Sequence, residues 1–214
     1  MDSPRLTVAS VLWVGQFRGR NYGPDWVRRL RNMVARNLPI PHRFVCLSNV
    51  DVEGVETIPL TGQWPGWWSK VELFRHDFGR TLYLDLDVLV VDDLTPIARY
   101  PAPFAAMPPS YTFTGGNPAG GPGIVDRYQS SCMVWDCDMR PIYERFGQWA
   151  IDKYRGDQDY LSDVYPNGET MPPEWFQKLK NRTNGPQGEK LILSMPDKCD
   201  VAARKYKWVN RIWR

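Results

Sequence analysis

"TLYLDLDVLVVDDL", Thr81 to Leu94, has the apolar alternation of a strand with two acids set into it. Leu82, Leu84, Leu86, Val88 and Val90 fall on one face of an extended chain. Tyr83, Asp85, Asp87, Leu89 and Val91 fall on the other. The two carboxylates therefore point the same way, about 6.5–7 Å apart if the strand is continuous. They come closer if it turns near Asp85. Two carboxylates in a poorly solvated place repel each other, and a divalent cation removes that penalty. Taken alone, Asp-x-Asp also fits an acidic strand end that faces water and binds nothing, so the rest of the chain has to decide.

Outward from this stretch, strand and helix signals alternate. "LTVASVLWVG" (Leu6–Gly15) reads as a first strand ending at a glycine, and "PDWVRRLRNMVARNL" (Pro24–Leu38) as a helix. That helix has an apolar stripe of Trp26, Val27, Leu30, Met33, Val34 and Leu38, with Arg28, Arg29, Arg31 and Arg36 mostly outside it. "HRFVCLS" and "VETIPL" read as strands. "SKVELFRHDF" (Ser69–Phe78) reads as a helix whose Ser69 and Glu72 form a capping box. This order implies an α/β sheet of mainly parallel strands, with ligands beyond their carboxyl ends, where Gly15 and Asp85–Asp87 would both lie. Farther on, "SSCMVWDCD" returns to strand character, "IYERFGQWAIDKY" (Ile142–Tyr154) reads as one helix, and "EKLILS" reads as a last strand. Between them the Gly- and Pro-rich stretch Ala102–Asp126 has no helical period and is expected to form a functional lid over a ligand.

Composition sets the bounds. The 214 residues suit one domain, 1–214, and a net charge of +3 gives no argument for a nucleic-acid partner. No apolar run approaches the roughly 20 residues that span a bilayer, and the N-terminus carries no signal-peptide pattern, so the expected location is cytoplasmic. Cys46, Cys132, Cys137 and Cys199 show no C-x-x-C spacing and are expected to be thiols.

Three segments in order, "LYLDLDVLV" (Leu82–Val90), "YQSSCMVWD" (Tyr128–Asp136) and "RGDQDYLSD" (Arg155–Asp163), resemble nucleotide-sugar glycosyltransferases of the glycosyltransferase-A (GT-A) fold. The resemblance is strongest to the retaining galactosyltransferase and glycogenin-like group and its small bacterial relatives. "IPHRFVCLS", "PGWWSKVELF" and "YERF" fit the same relatives, so the likeness runs from Val11 to about Leu193. It implies a single-domain, Rossmann-like GT-A fold with a donor-binding half of about 6–95 and a sugar and acceptor half of about 96–214. The implied enzyme is a retaining hexosyltransferase that takes a UDP-sugar donor with the help of Mn²⁺ or Mg²⁺.

The resemblance also implies roles, residue by residue. Asp85 and Asp87 match the metal-binding acids, with Asp85 and Leu86 also beside the donor. Hard carboxylate oxygens suit Mn²⁺ or Mg²⁺, and such an ion would stabilise the charge of a departing diphosphate. Lys70 is placed near the donor sugar and phosphates, at what reads as a helix start and hence an anion site. Val14, Gly15 and Tyr22 match positions that hold the nucleoside; a bare glycine lets a base or ribose approach. Gln129, Ser130 and Ser131 match a turn that touches the sugar, where many relatives carry Asn at the Gln129 position. Asp157, Gln158 and Asp159 match the segment beneath the anomeric carbon, although Asp157 could equally cap the helix that follows it. Relatives complete the metal site with a late histidine. The matching stretch, "LILSMPDKCDV" (Leu191–Val201), has none; Met195 falls nearest that position, and Asp197 is the nearby hard ligand.

Two other readings stand beside this one. A haloacid-dehalogenase-like phosphohydrolase also follows an apolar strand with Asp-x-Asp, the first acid attacking phosphorus, but that motif continues with Gly rather than Val88 and Leu89. A non-catalytic nucleotide-sugar-binding relative would suit the tryptophans Trp64, Trp67, Trp68, Trp135 and Trp149, which could stack on sugars or fill the core. The acceptor is expected to be a carbohydrate or a lipid-linked glycan. The basic, aromatic C-terminus "ARKYKWVNRIWR" could make weak contact with an anionic membrane surface, or simply pack Val209 and Ile212 on the core.

Overall fold

The computed structural model describes residues 6–17, 22–110, 112, 127–178, 185–186, 188, 190–194 and 199–214. Most of the expected lid, and both Met195 and Asp197, lie outside the described residues.

The first strand, β1 (Leu6–Leu12), is buried along nearly its whole length, as a strand covered on both faces must be. It pairs in parallel with β2 (Arg43–Ser48) on one side and β4 (Arg80–Leu84) on the other; β3 (Glu56–Pro59) extends β2, also in parallel. Beyond β4, β7 (Gln129–Trp135) runs antiparallel, followed by β6 (Phe104–Met107) and the short β8 (Glu169–Thr170). The result is a seven-stranded, mostly parallel sheet in the order β3-β2-β1-β4-β7-β6-β8. Because β7 opposes β4, the start of β7 meets the end of β4.

Helix α1 (Pro24–Asn37) starts on a proline, whose missing N–H costs nothing in a first turn, and buries Val27, Leu30, Met33 and Val34 against one face of the sheet. The other face is covered by a 3₁₀ helix, Gly66–Arg75, and by aromatic side chains. The chain is thus a three-layer α/β structure.

Four local expectations are corrected. The stretch Thr81–Leu94 is not one strand. β4 ends at Leu84, Asp85–Asp87 form a turn, and β5 (Val88–Val90) joins a separate three-stranded sheet with β9 (Phe176–Lys178) and β10 (Ile192–Ser194). Leu82 and Leu84 do face one core and Tyr83 the other, but Val88, Leu89 and Val90 are all buried, so the alternation stops at the turn.

The second correction concerns the capping box at Ser69. Ser69 Oγ donates to the Gly66 carbonyl at 2.7 Å, and the Glu72 carboxylate accepts from Thr61 N (2.7 Å) and Thr61 Oγ1 (2.8 Å). Trp68 through Phe74 are all buried, so this segment has no solvated face on which an α-helical stripe could show.

Third, after a short helix α2 (Thr95–Ala98), the stretch expected as the single helix Ile142–Tyr154 is two, α3 (Arg140–Arg145) and α4 (Gln148–Lys153), separated at Phe146 and Gly147. Phe146 turns extended so that its ring packs on Trp64, Trp68 and Tyr160, with centroids 5.1, 5.6 and 5.0 Å away. Fourth, helix α5 (Asp157–Val164) is capped by the Gly156 backbone, with Asp157 inside the first turn.

The C-terminal helices α6 (Cys199–Lys205) and α7 (Lys207–Ile212) return to α1. Val209 is buried, the Trp213 ring meets Trp26 at 4.9 Å, and Arg29 lies over Trp213 while donating to its carbonyl at 2.8 Å. Among the described residues no helix is long and apolar enough to cross a membrane. All four cysteines are free thiols.

Candidate active site

The carboxyl ends of β1 and β4, the start of β7, the start of α5 and the 3₁₀ helix surround a cavity of about 490 Å³. Of the residues singled out from sequence, Tyr22, Lys70, Asp85, Leu86, Asp87, Gln129, Ser130, Ser131, Asp157, Gln158 and Asp159 line it. Val14 and Gly15 do not. The Val14 main chain is held by Asn49, which accepts from Val14 N and donates to Val14 O, both at 2.8 Å. A Cβ on Gly15 would lie 2.2 Å from the Trp13 ring, so the bare backbone accommodates that indole.

Lys70 is the hub of the floor. Its side chain is 8% exposed, and its ammonium lies 2.9 Å from Asp85 Oδ1, 2.9 Å from Asp157 Oδ2 and 3.0 Å from Ser130 Oγ. Ser130 Oγ in turn donates to Asp157 Oδ2 at 2.6 Å. Burial alone would push the Lys70 ammonium down, but Asp157 and Asp85 together hold its pKa above the usual lysine range. The Tyr83 hydroxyl donates to the same Asp85 Oδ1, and burial followed by the Asp85 charge holds that phenol well above its ordinary value. The turn itself is pinned where Asp85 N donates to the Ser131 carbonyl at 2.9 Å, the last rung between β4 and β7. Tyr22 donates to Asp87 Oδ2 at 2.9 Å. Asp159 sits in a fork from Arg155, whose Nε and Nη2 lie 2.7 and 3.0 Å from its two oxygens.

An aromatic wall faces this floor. Trp13 and Phe17 lie 6.3 Å apart and Phe17 and Trp67 4.6 Å apart, all edge to face. Gly66 carries a φ of +57°, and a Cβ there would lie 2.0 Å from the Phe17 ring. Of the tryptophans considered for sugar stacking, Trp67 alone lines the cavity; Trp64, Trp68 and Trp135 pack on Phe146 and Phe74, and Trp149 on Tyr154 and Tyr160. Sequence reading missed Trp13, Phe17, Tyr83, Arg155 and Lys178 in the lining. Tyr83 was legible as the residue sharing a strand face with Asp85, and Arg155 as the neighbour of "GDQD". Nothing in the sequence marks Trp13, Phe17 or Lys178.

The chemistry of the donor set suits a hard divalent cation. Asp85 Oδ1 is committed to Lys70 and Tyr83, whereas Oδ2 takes no hydrogen bond from a described residue. No group of three His, Cys, Asp or Glu side chains able to hold a metal occurs among the described residues. Asp85 and Asp87 thus fit an ion that draws its remaining oxygens from elsewhere, such as a phosphate or water.

No family model and no curated protein matches this sequence. Solved structures do match. The galactosyltransferase LgtC, solved with donor and acceptor sugar analogues, aligns with a TM-score of 0.58 and 13% identity over 89% of this chain and 87% of that one. WbbM, a bifunctional glycosyltransferase, aligns at 0.61 and 12% identity over 99% of this chain and 52% of that one. Mouse xyloside xylosyltransferase 1 aligns at 0.53 and 12% identity over 88% and 96%. The fold is that of the GT-A glycosyltransferases. In GT-A terms, the parallel strands β3-β2-β1-β4 carry the carboxyl edge, and the Asp-x-Asp turn is the point where the chain leaves the large sheet for the small one.

Proposed function

We propose that this chain is a glycosyltransferase that moves a hexose from a UDP-sugar to a carbohydrate or lipid-linked glycan acceptor, with metal assistance and retention at the anomeric carbon. One observation carries this reading: the Lys70–Asp85–Asp157–Ser130 cluster joins the Asp-x-Asp turn to the "GDQD" helix start across a single cavity. The motif expected at the diphosphate and the motif expected at the sugar thus share one cation.

Asp85 and Asp87 would hold Mn²⁺ or Mg²⁺, and when bound that ion offsets the negative charge of the diphosphate as it departs. Lys70 is the cation closest to both acids and keeps a positive charge in the floor at neutral pH. Asp157 and Gln158, at the start of α5, meet the sugar, and Arg155 holds Asp159 behind them. Retention would need either a group that meets the oxocarbenium-like centre, for which Asp157 and Gln158 are placed, or a front-face path in which the leaving phosphate takes the acceptor proton. The phosphohydrolase alternative is not favoured, since the three structural likenesses described are glycosyltransferases.

The test is nucleotide release from a panel of sugar nucleotides, with and without Mn²⁺. Release of UDP from a UDP-sugar, raised by Mn²⁺, is the expected result. Release from none of them would leave the non-catalytic relative standing, and release of inorganic phosphate from simple phosphoesters would revive the hydrolase. UDP with Mn²⁺ should also raise the melting temperature, because a ligand of the folded state stabilises it. Asp87→Ala should remove the metal-dependent part of that shift; an unchanged shift counts against a metal held at the turn. Calorimetry should find weak Mn²⁺ binding to the chain alone and much tighter binding with UDP present.

A further inference from the structure

Tyr83 is the side chain in the floor to which the proposed chemistry gives no task. It stands two residues before Asp85 on β4, so it shares that residue's face. Its ring is 1% exposed, and the Lys70 ammonium lies 5.3 Å from the ring centroid. A tyrosine buried for packing alone would be served by phenylalanine. Here the hydroxyl donates to Asp85 Oδ1, the oxygen that Lys70 also binds. Two donors from different elements thus converge on one oxygen of a carboxylate whose other oxygen is uncommitted among the described residues.

We propose that Tyr83 is a positioning residue that commits Asp85 Oδ1 and so reserves Oδ2 for a divalent cation. A carboxylate's two oxygens are chemically equal, and only its surroundings can tell them apart. Without the hydroxyl, the group can rotate about χ2, which is a soft torsion. Partners behind a metal ligand fix its orientation, and their loss typically weakens metal binding by about 10–100-fold. The inference rests on the reading that Asp85 is a metal ligand, and the experiment separates the two.

The probe is Mn²⁺, titrated calorimetrically into the UDP-loaded protein, with the electron paramagnetic resonance spectrum of the bound ion recorded alongside. Tyr83→Phe should weaken Mn²⁺ about tenfold and change the spectrum, while UDP binding without metal stays as in the wild type. Tyr160→Phe is the control. That tyrosine is equally buried and its hydroxyl donates to the Ile142 carbonyl, so its loss tests a missing buried hydrogen bond away from Asp85. It should match the wild type.

A second variant does not depend on how well Tyr83→Phe folds. In Asp85→Asn, the Lys70 ammonium can only donate and the Tyr83 hydroxyl donates beside it, so together they select the amide oxygen and leave the NH₂ group at the place of Oδ2. A fixed amide so turned cannot bind a cation, and Asp85→Asn should lose Mn²⁺ as completely as Asp85→Ala. If Asp85→Asn keeps measurably more affinity than Asp85→Ala, the group is free to flip and the inference is overturned. Wild-type affinity and spectrum in Tyr83→Phe overturn it too. If Asp85→Ala itself leaves Mn²⁺ binding untouched, or the wild type binds none with UDP present, the metal reading falls and takes this inference with it.

Discussion

The floor and the wall of the cavity are built by opposite means. The floor residues Lys70, Tyr83, Asp85, Ser130 and Asp157 come from a strand end, a strand start, a helix start and a buried 3₁₀ helix, and each is held by charged or hydrogen-bonded partners. The wall residues Trp13, Phe17 and Trp67 come from connecting segments and from the first turn of the 3₁₀ helix. They meet one another edge to face, and two of them rest over glycines. The topology of the sheet fixes the floor. Local notches in the backbone fix the wall. The two should therefore fail differently when altered.

The largest effect belongs to the floor. Lys70→Met keeps the length and apolar stem of the side chain but leaves Asp85 and Asp157 facing each other without their cation. Breaking a buried ion pair by removing one member costs about 3–5 kcal/mol. The two acids keep 23% and 13% side-chain exposure, which relieves part of the penalty. The expected loss is about 3 kcal/mol, or roughly 6–12 °C for a chain of this size. Urea unfolding at neutral pH measures it. A loss below about 1 kcal/mol would mean that water, not Lys70, compensates the acids, and the floor would then be no firmer than the wall.

This difference explains what the sequence could reveal. Asp85 and Asp87 were legible because strand alternation survives to the end of β4, and Asp157 through the resemblance of "RGDQDYLSD" to glycosyltransferases. The carboxyl edge followed from the order of strands and helices. The illegible parts all depend on partners far away in the chain. Glu72 looks like half of a capping box until Thr61, eleven residues upstream, takes its carboxylate. Phe146 sits in a helical pattern until Trp64, Trp68 and Tyr160 draw its ring into a cluster. Trp13 and Phe17 carry no spacing rule, because what seats them is an absent Cβ on Gly15 and Gly66.

The next effect belongs to that absence. Gly66 has a φ of +57°, a conformation that costs an L-residue about 1–3 kcal/mol. Gly66→Ala also places a methyl 2.0 Å from Phe17 Cδ1, so the ring has to leave its place against Trp67. We expect a loss of about 2 kcal/mol in urea unfolding together with a changed near-ultraviolet circular dichroism spectrum. An unchanged spectrum with the same stability loss would confine the effect to the backbone and detach Phe17 from the wall.

The smallest effect is the sharpest test of the notch. Gly15 has no positive φ, and its added Cβ would meet only the far edge of the Trp13 indole, at 2.2–2.7 Å. An exposed loop lets that ring swing aside, so Gly15→Ala alone should cost less than about 1 kcal/mol, within the range of ordinary surface changes. Its cost should depend on Trp13. In a Trp13→Ala background the methyl meets no ring and Gly15→Ala should cost nothing, so the two substitutions should be non-additive by at least about 0.5 kcal/mol. The same cycle read through UDP affinity asks whether the indole serves the ligand: Gly15→Ala should then change affinity in the presence of Trp13 and leave it alone in Trp13→Ala. Strict additivity in both readouts would show that Gly15 is merely a turn residue. Trp13 would then keep its place in the lining through its edge-to-face contact with Phe17 and not through a notch at Gly15.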